Sequence, residues 1–392
     1  MDKTPNSMRK YIGIFGKTNA GKSSLFNALL GQEVAIVSEV SGTTGDPVSK
    51  AAELLGYGAV TLVDTAGFDD FSQLGEKRMK KTKEVQDRCD LIIWVEDISD
   101  EQKVSIDFGK TPVLKVYTKC DKIDKTVLLE KIQAEPGSVF ITDYNGAELS
   151  ALHEKLIEML SKQERDDETF VGDILKAGDT VVLVMPIDSA APKGRLILPQ
   201  VQILRDCLDH NITAICTTPD MLAKTLDESK IVNLVICDSQ VFDEVSRIVP
   251  TMIDLTSFSM ILANKSGRIN QLIEGTRAIR LLEDNDKVLM LEACTHNTTH
   301  EDIGRVKIPT LLQKVTGKKL SFTYMTGYDF PENISEYRLI IQCGGCMINK
   351  RTVESRLEKF QEINVPVTNY GVVLAYLSGI LDRASKIFIN NN

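Results

Sequence analysis

The first stretch of patterned sequence runs from an apolar segment, Tyr11-Ile12-Gly13-Ile14-Phe15, through a polar glycine-rich loop into the helix-like Ser24-Leu25-Phe26-Asn27-Ala28-Leu29-Leu30. Short apolar runs bounded by turn residues predict strands. Val60-Thr61-Leu62-Val63 and Val113-Leu114-Lys115-Val116-Tyr117 have the same character. Leu149 to Ser161 predicts an amphipathic closing helix, with Leu152, Leu156, Ile157 and Leu160 on one face. The charged run Lys162-Gln163-Glu164-Arg165-Asp166-Asp167-Glu168 predicts a linker. A second alternation follows: strands at Thr180 to Met185, Ala214 to Cys216 and Leu234 to Cys237, with a helix over Gln202 to His210. A third begins near Asn264-Lys265-Ser266-Gly267. It has helices over Ile269–Leu282, Ile308–Thr316 and Asn349–Phe360, strands at Val288–Leu291 and Arg338–Ile341, and two closing helices.

Composition narrows the class. With 392 residues the chain has room for two or three domains, each with its own core. Hydrophobic content of 43% and charged content of 26% are those of a soluble globular protein. A formal charge of −9 argues against a broad footprint for nucleic acid, and none is expected as a partner. The start, Met1-Asp2-Lys3-Thr4-Pro5-Asn6, lacks the apolar core of a signal peptide, and no apolar run is long enough to span a bilayer. The expectation is a cytoplasmic protein without a membrane partner. Eight cysteines in such a chain do not suggest a disulfide framework, and Cys89, Cys120, Cys207, Cys216 and Cys237 are expected as buried packing residues.

The loop after the first strand is Gly16-Lys17-Thr18-Asn19-Ala20-Gly21-Lys22-Ser23, the pattern GxxxxGKS, with strand and helix standing where the motif requires them. Its backbone N–H groups, framed by Gly16, Gly21 and the Ser23-Ser24 pair, cradle phosphates. Lys22 reaches the outer phosphates and Ser23 holds Mg2+. Asp64-Thr65-Ala66-Gly67 is DxxG: Asp64 acts on Mg2+ through water, and the Gly67 N–H senses the γ-phosphate. In the polar loop Ser41-Gly42-Thr43-Thr44, the Thr44 hydroxyl is the candidate second Mg2+ ligand. Lys22, Thr44 and Gly67 form the expected catalytic set. Thr118-Lys119-Cys120-Asp121 matches NKxD with Thr for Asn, and Asp121 accepts two hydrogen bonds that guanine offers and adenine does not. The last base-contacting loop lies near Thr142-Asp143-Tyr144. An adenine-binding P-loop ATPase is the alternative. The predicted class is α/β: a P-loop GTPase domain (1–165) plus two further α/β domains with mainly parallel sheets (166–265 and 266–392).

The second chemical signal is Cys343-Gly344-Gly345-Cys346, joined by Cys294-Thr295-His296. Each half follows a predicted strand, so two strands lying side by side bring three sulfurs to one rim of a parallel sheet. Glycines let the backbone curl round a metal, and the N-terminus of the following helix favours thiolate. A structural or redox cysteine pair is the plainer alternative.

The first segment resembles the Era/TrmE branch of translation-factor-related GTPases. Phe68 stands beside DxxG, where Ras-like proteins place a water-orienting glutamine. The TrmE resemblance implies a K+ ion held by Asn19 and a first switch spanning Ala35 to Asp46. On the residues alone, Asn19 is equally a loop-capping residue. The three parts together, including Asp188 and Ala191-Pro192-Lys193-Gly194-Arg195-Leu196-Ile197-Leu198-Pro199-Gln200, resemble the FeFe-hydrogenase maturation GTPase family over essentially the whole chain. That resemblance implies a homodimer formed by the middle unit and a 4Fe-4S cluster on Cys294, Cys343 and Cys346. It also implies a scaffold and carrier that receives a two-iron precursor from radical-SAM maturases and delivers it to apo FeFe-hydrogenase. Many members carry His where Gln342 stands, which leaves His296 and Asp188 as candidates for the fourth ligand. The expected cofactors are GTP, Mg2+, K+ and the 4Fe-4S cluster. Two rivals remain open: a structural Cys3His zinc site on Cys294, His296, Cys343 and Cys346, and an Era-like RNA- or ribosome-associated GTPase.

Overall fold

The computed structural model describes the chain apart from residues 1–3, 5–7, 32–33, 41–47, 68–81, 101–105, 145, 164–168, 188–193, 195, 293–302, 328–330, 332, 346–347 and 390–392. Two compact units are present. One comprises residues 1–166 with 349–355, the other residues 167–348 with 356–392.

The first unit is built on a seven-stranded sheet of order β2-β3-β4-β1-β5-β6-β7. Its strands are β1 (Lys10–Gly16), β2 (Val34–Val40), β3 (Val48–Leu54), β4 (Gly58–Asp64), β5 (Leu91–Asp97), β6 (Val113–Thr118) and β7 (Val139–Phe140). The pairs β2/β3 and β3/β4 are antiparallel and the rest parallel. The period of two in β1 sorts its side chains between two cores. Ile12 and Ile14 pack with Leu25 and Leu29 of α1 (Lys22–Gly31) and Leu152 and Leu156 of α3 (Gly146–Ser161). Tyr11 and Phe15 pack on the other face with Cys89, Trp94 and Phe108. Gly13 leaves room for that second core: a Cβ there would lie 2.6 Å from the Cys89 sulfur. Helix α2 (Lys125–Ala134) joins β6 to β7.

Within the first switch expected over Ala35 to Asp46, residues through Val40 pair with β3 as an antiparallel edge strand. Residues 41–47, Thr44 among them, lie outside the described residues.

The second unit holds two four-stranded, all-parallel sheets. The first, β11-β10-β8-β9, uses β8 (Thr180–Val184), β9 (Thr213–Thr217), β10 (Leu234–Cys237) and β11 (Asp254–Ser257). Its helices are α4 (Leu198–Asp209), α5 (Leu222–Glu228), α6 (Phe242–Ile248) and α7 (Phe258–Lys265). Cys207 and Cys237 are buried as expected, but Cys216 is exposed. It lies on the edge strand β9, which has a sheet neighbour on one side only. The second sheet, β13-β12-β14-β15, uses β12 (Lys287–Glu292), β13 (Ser321–Thr326), β14 (Leu339–Gln342) and β15 (Val367–Asn369). Around it lie α8 (Ile269–Gly275), α9 (Ile308–Thr316), the part of α10 (Lys350–Glu362) from residue 356 onward, α11 (Tyr370–Leu377) and α12 (Leu381–Ile389). The helix expected over Ile269–Leu282 is α-helical only to Gly275 and tightens to 3-10 over Thr276–Leu281. Gly275 lies so close to the Val367 carbonyl that a Cβ would sit 1.9 Å from its oxygen, and Thr276 bonds back to Ile273.

Within this unit the two sheets are tied by polar clamps. The Arg383 guanidinium donates to the carbonyls of Ser246, Val249, Pro250 and Ile253, at and just past the end of α6. Lys307 Nζ donates to the Gln240 carbonyl at 2.5 Å, and burial pushes its ammonium down despite Asp238 and Asp243.

Candidate functional site

Parallel pairing brings the carboxyl ends of β1, β4, β5 and β6 to one rim of the first sheet: Ile14 is level with Asp64, Gly16 with Val95, and Asp97 with Thr118. That rim is where ligands of open α/β sheets bind. Gly16, Asn19, Gly21, Lys22, Ser23, Ser24, Asp64, Gly67, Lys119 and Asp121 all emerge from it. Gly16 is demanded by a close approach, since a Cβ would meet the Val95 carbonyl oxygen at 2.2 Å. Gly21 adopts φ 94° and Asn19 φ 61°, left-handed conformations that suit glycine and asparagine.

Ser23 Oγ donates to Asp64 Oδ2 at 2.7 Å. Asp64 Oδ1 is buried without a hydrogen-bond partner. Burial raises the Asp64 carboxyl above its ordinary range, against the lowering effects of Ser23, Lys22 and Thr65. A buried carboxylate oxygen beside a hydroxyl suits a hard cation with oxygen ligands, so these residues fit Mg2+. Lys22 is nearly buried and its ammonium donates to the Lys17 carbonyl at 2.6 Å.

Three consecutive loop carbonyls are held from the base side. Lys119 Nζ donates to Asn19 O at 2.6 Å, Thr118 Oγ1 to Ala20 O at 2.7 Å, and Tyr144 Oη to Gly21 O at 3.4 Å. Thr118, in the place of the motif's Asn, is fully buried and tethers the loop. Lys119 also pairs with Asp97 at 2.8 Å. Burial pushes the Asp97 carboxyl up, but the bonds from Lys119 and Ser99 outweigh it and hold it at about 2. Asp121 is exposed just beyond β6. Sequence reasoning missed Asp97 and the tethers of Thr118 and Tyr144. Asp97 had a signal, as the last residue of a strand on the same rim.

In the other unit, β12 and β14 lie side by side in parallel, Leu291 level with Gln342. The Cys343 N–H donates to the Leu291 carbonyl at 2.8 Å, so Cys343 leaves the rim beside the strand that leads to Cys294. Cys343 is partly exposed. Beyond it Gly344 has open space around it and Gly345 turns at φ 72°. A cysteine at a rim followed by an open turn suits iron–sulfur ligation. Cys294, His296, Cys346 and Asp188 lie outside the described residues, as does Phe68. Among the described residues, no group of three metal-ligating side chains occurs, and no helix is long and apolar enough to cross a membrane.

A GxxxxGKS loop between parallel strand and helix, with DxxG and the TKxD segment on the same rim, defines a P-loop GTPase, and the family model for 50S ribosome-binding GTPases matches residues 11–131. The remainder is matched by the hydrogen maturase F dimerization domain over residues 170–267 and the hydrogen maturase F tetramerization domain over residues 270–387. The chain belongs to the hydrogen maturase F family. It is a GTPase with a site for GTP and Mg2+. Its GTPase segment is similar to the tRNA modification GTPase MnmE of Bordetella parapertussis, 35% identical over 156 residues, 38% of this chain and 33% of that one. MnmE of Carboxydothermus hydrogenoformans is 30% identical over 202 residues, 45% of this chain and 44% of that one. The chain thus spans between a third and a half of the length of these relatives. A crystal structure of a point variant of Aquifex aeolicus Era bound to GDP.AlF4- aligns with TM-score 0.31 and 20% identity, covering 53% of this chain and 92% of that one.

Proposed function

We propose that the chain is a GTP-hydrolysing scaffold and carrier that holds a 4Fe-4S cluster and a two-iron precursor and delivers the precursor to apo FeFe-hydrogenase. The observation that best supports this is the adjacency of β12 and β14, which brings Cys343 beside the strand leading to Cys294. In this reading residues 1–165 form the GTPase domain, 166–265 the dimerisation domain and 266–392 the cluster domain. Cys294, Cys343 and Cys346 hold the cluster, with His296 or Asp188 as its fourth ligand. When bound, the cluster supplies an iron with a readily exchanged ligand, suited to bridging an incoming fragment. Radical-SAM maturases supply the precursor.

At the nucleotide, the loop N–H groups around Gly16 to Ser24 bind phosphates, and Lys22 leaves the Lys17 carbonyl to reach the outer ones. Ser23, Asp64 and Thr44 hold Mg2+, which when bound offsets the charge on the phosphates. The Gly67 N–H senses the γ-phosphate, Asp121 reads guanine, and Asn19 holds K+, whose charge stands in for the missing glutamine.

Anaerobic reconstitution with iron and sulfide tests the reading. The wild type takes up iron and shows charge-transfer absorption and electron-spin resonance of a 4Fe-4S centre, and Cys343→Ser does not. Stoichiometric zinc with no iron, or an unperturbed cluster in Cys343→Ser, overturns it.

A further inference from the structure

Beside the nucleotide rim, the loop Thr142-Asp143-Tyr144 follows β7, whose neighbour β6 ends in the segment bearing Asp121. The two loops are stitched together: the Cys120 N–H donates to the Ile141 carbonyl at 3.2 Å, and the Ile141 N–H to the Tyr117 carbonyl at 2.7 Å. Three successive N–H groups of this loop point to one acceptor. Thr142 donates to Glu148 Oε1 at 3.0 Å, and Asp143 and Tyr144 donate to Glu148 Oε2 at 3.2 and 3.1 Å. Glu148 stands in the first turn of α3 and reaches back over the loop, while Tyr144 at φ 58° sends its hydroxyl to Gly21. The loop is therefore closed from the helix side and latched on the phosphate loop.

We propose that Glu148 is a specificity-determining residue that withholds these N–H groups from the 6-oxo group of guanine. Each backbone N–H carries one hydrogen. A carboxylate makes a charge-assisted bond stronger than the one a neutral base carbonyl makes. With all three N–H groups directed at Glu148, the base is read by Asp121 alone, through N1–H and the 2-amino group. The inference rests on Asp121 as the base reader.

The probe is 6-thioguanosine triphosphate, which keeps the N1–H and 2-amino group and replaces the 6-oxo oxygen with sulfur, a weaker acceptor. The full-length wild type binds it and GTP with affinities within about twofold, as expected when no N–H reads that position. Glu148→Ala uncovers the N–H groups and prefers GTP by about fivefold, the worth of one neutral hydrogen bond. Glu148→Gln keeps an uncharged acceptor and falls between, and it carries the test should the alanine variant fail to fold. A wild type that already prefers GTP about fivefold overturns the proposal. So does an unchanged ratio in the folded variants, which marks Glu148 as a helix cap only. Asp121→Asn titrated with xanthosine triphosphate separates the two readings. Without a gain in its binding the Asp121 assignment falls and the proposal with it; with a gain but an unchanged thio ratio, only the proposal falls.

Discussion

Thr118→Val removes one hydroxyl from the nucleotide rim and keeps the side-chain shape. Thr118 is fully buried, and its Oγ1 lies 2.7 Å from Ala20 O and 3.3 Å from Glu96 O. A hydroxyl donates one hydrogen, so the shorter contact takes it. The peptide joining Ala20 to Gly21 is planar and trans, with its C=O and N–H on opposite sides. Holding Ala20 O against Thr118 therefore turns the Gly21 N–H away from β6, as a phosphate cradle needs. Removing the donor forfeits about 1 kcal/mol of net hydrogen-bond stabilisation, and leaving the carbonyl unsatisfied raises the cost toward about 3 kcal/mol. If about 1 kcal/mol of this appears in binding, the Kd for GDP rises about fivefold. The remainder lowers the unfolding free energy of the first unit. Titration calorimetry with GDP, alongside thermal unfolding of the nucleotide-free protein, reads both. A folded variant with unchanged affinity and Tm would refute the tether.

Arg383→Met removes donors from four carbonyls and keeps much of the apolar stem. It should cost about 3 kcal/mol in denaturant unfolding, and a change below about 0.5 kcal/mol would show that water satisfies those carbonyls instead. Asp97 has its carboxyl lowered from 3.8 to about 2, so its contribution to stability is present above pH 3.8 and is lost as pH falls through about 2. Asp97→Asn should flatten that part of the acid-unfolding profile, and an unaltered profile would separate Asp97 from the acid limb. Lys22→Ala should abolish most nucleotide binding, and GTP turnover by the wild type should be faster in potassium than in sodium. Equal rates in the two salts would remove K+ from Asn19.

The elements that were legible in the sequence are those whose chemistry is written locally. GxxxxGKS needs its own glycines and lysine, and DxxG and the TKxD segment each end one of the parallel strands of a single sheet. Their meeting on a single rim follows from that topology. The strands before Cys294 and before Cys343, each read from its own apolar run, pair side by side. Where a residue's environment is set by a distant partner, the local pattern was a poor guide. Cys216 is exposed because β9 lies at a sheet edge, which nothing in its own segment records.

The base side of the nucleotide site shows why this matters for function. Thr118 reads from sequence as a weakened asparagine, but its depth beneath the phosphate loop makes its hydroxyl a tether to Ala20. Thr142, Asp143 and Tyr144 read as a degenerate base-contact loop, and whether their side chains match the motif is a secondary question. Base contacts of that kind are made by backbone N–H groups, which any residue but proline supplies. What decides their availability is a carboxylate four to six residues further on, at the start of α3. The sequence names the groups able to donate, and the fold determines which of them are already engaged. In the proposed reading, guanine selectivity in this chain is a property of Asp121 and Glu148 together, one offering an acceptor to the base and the other holding donors back from it.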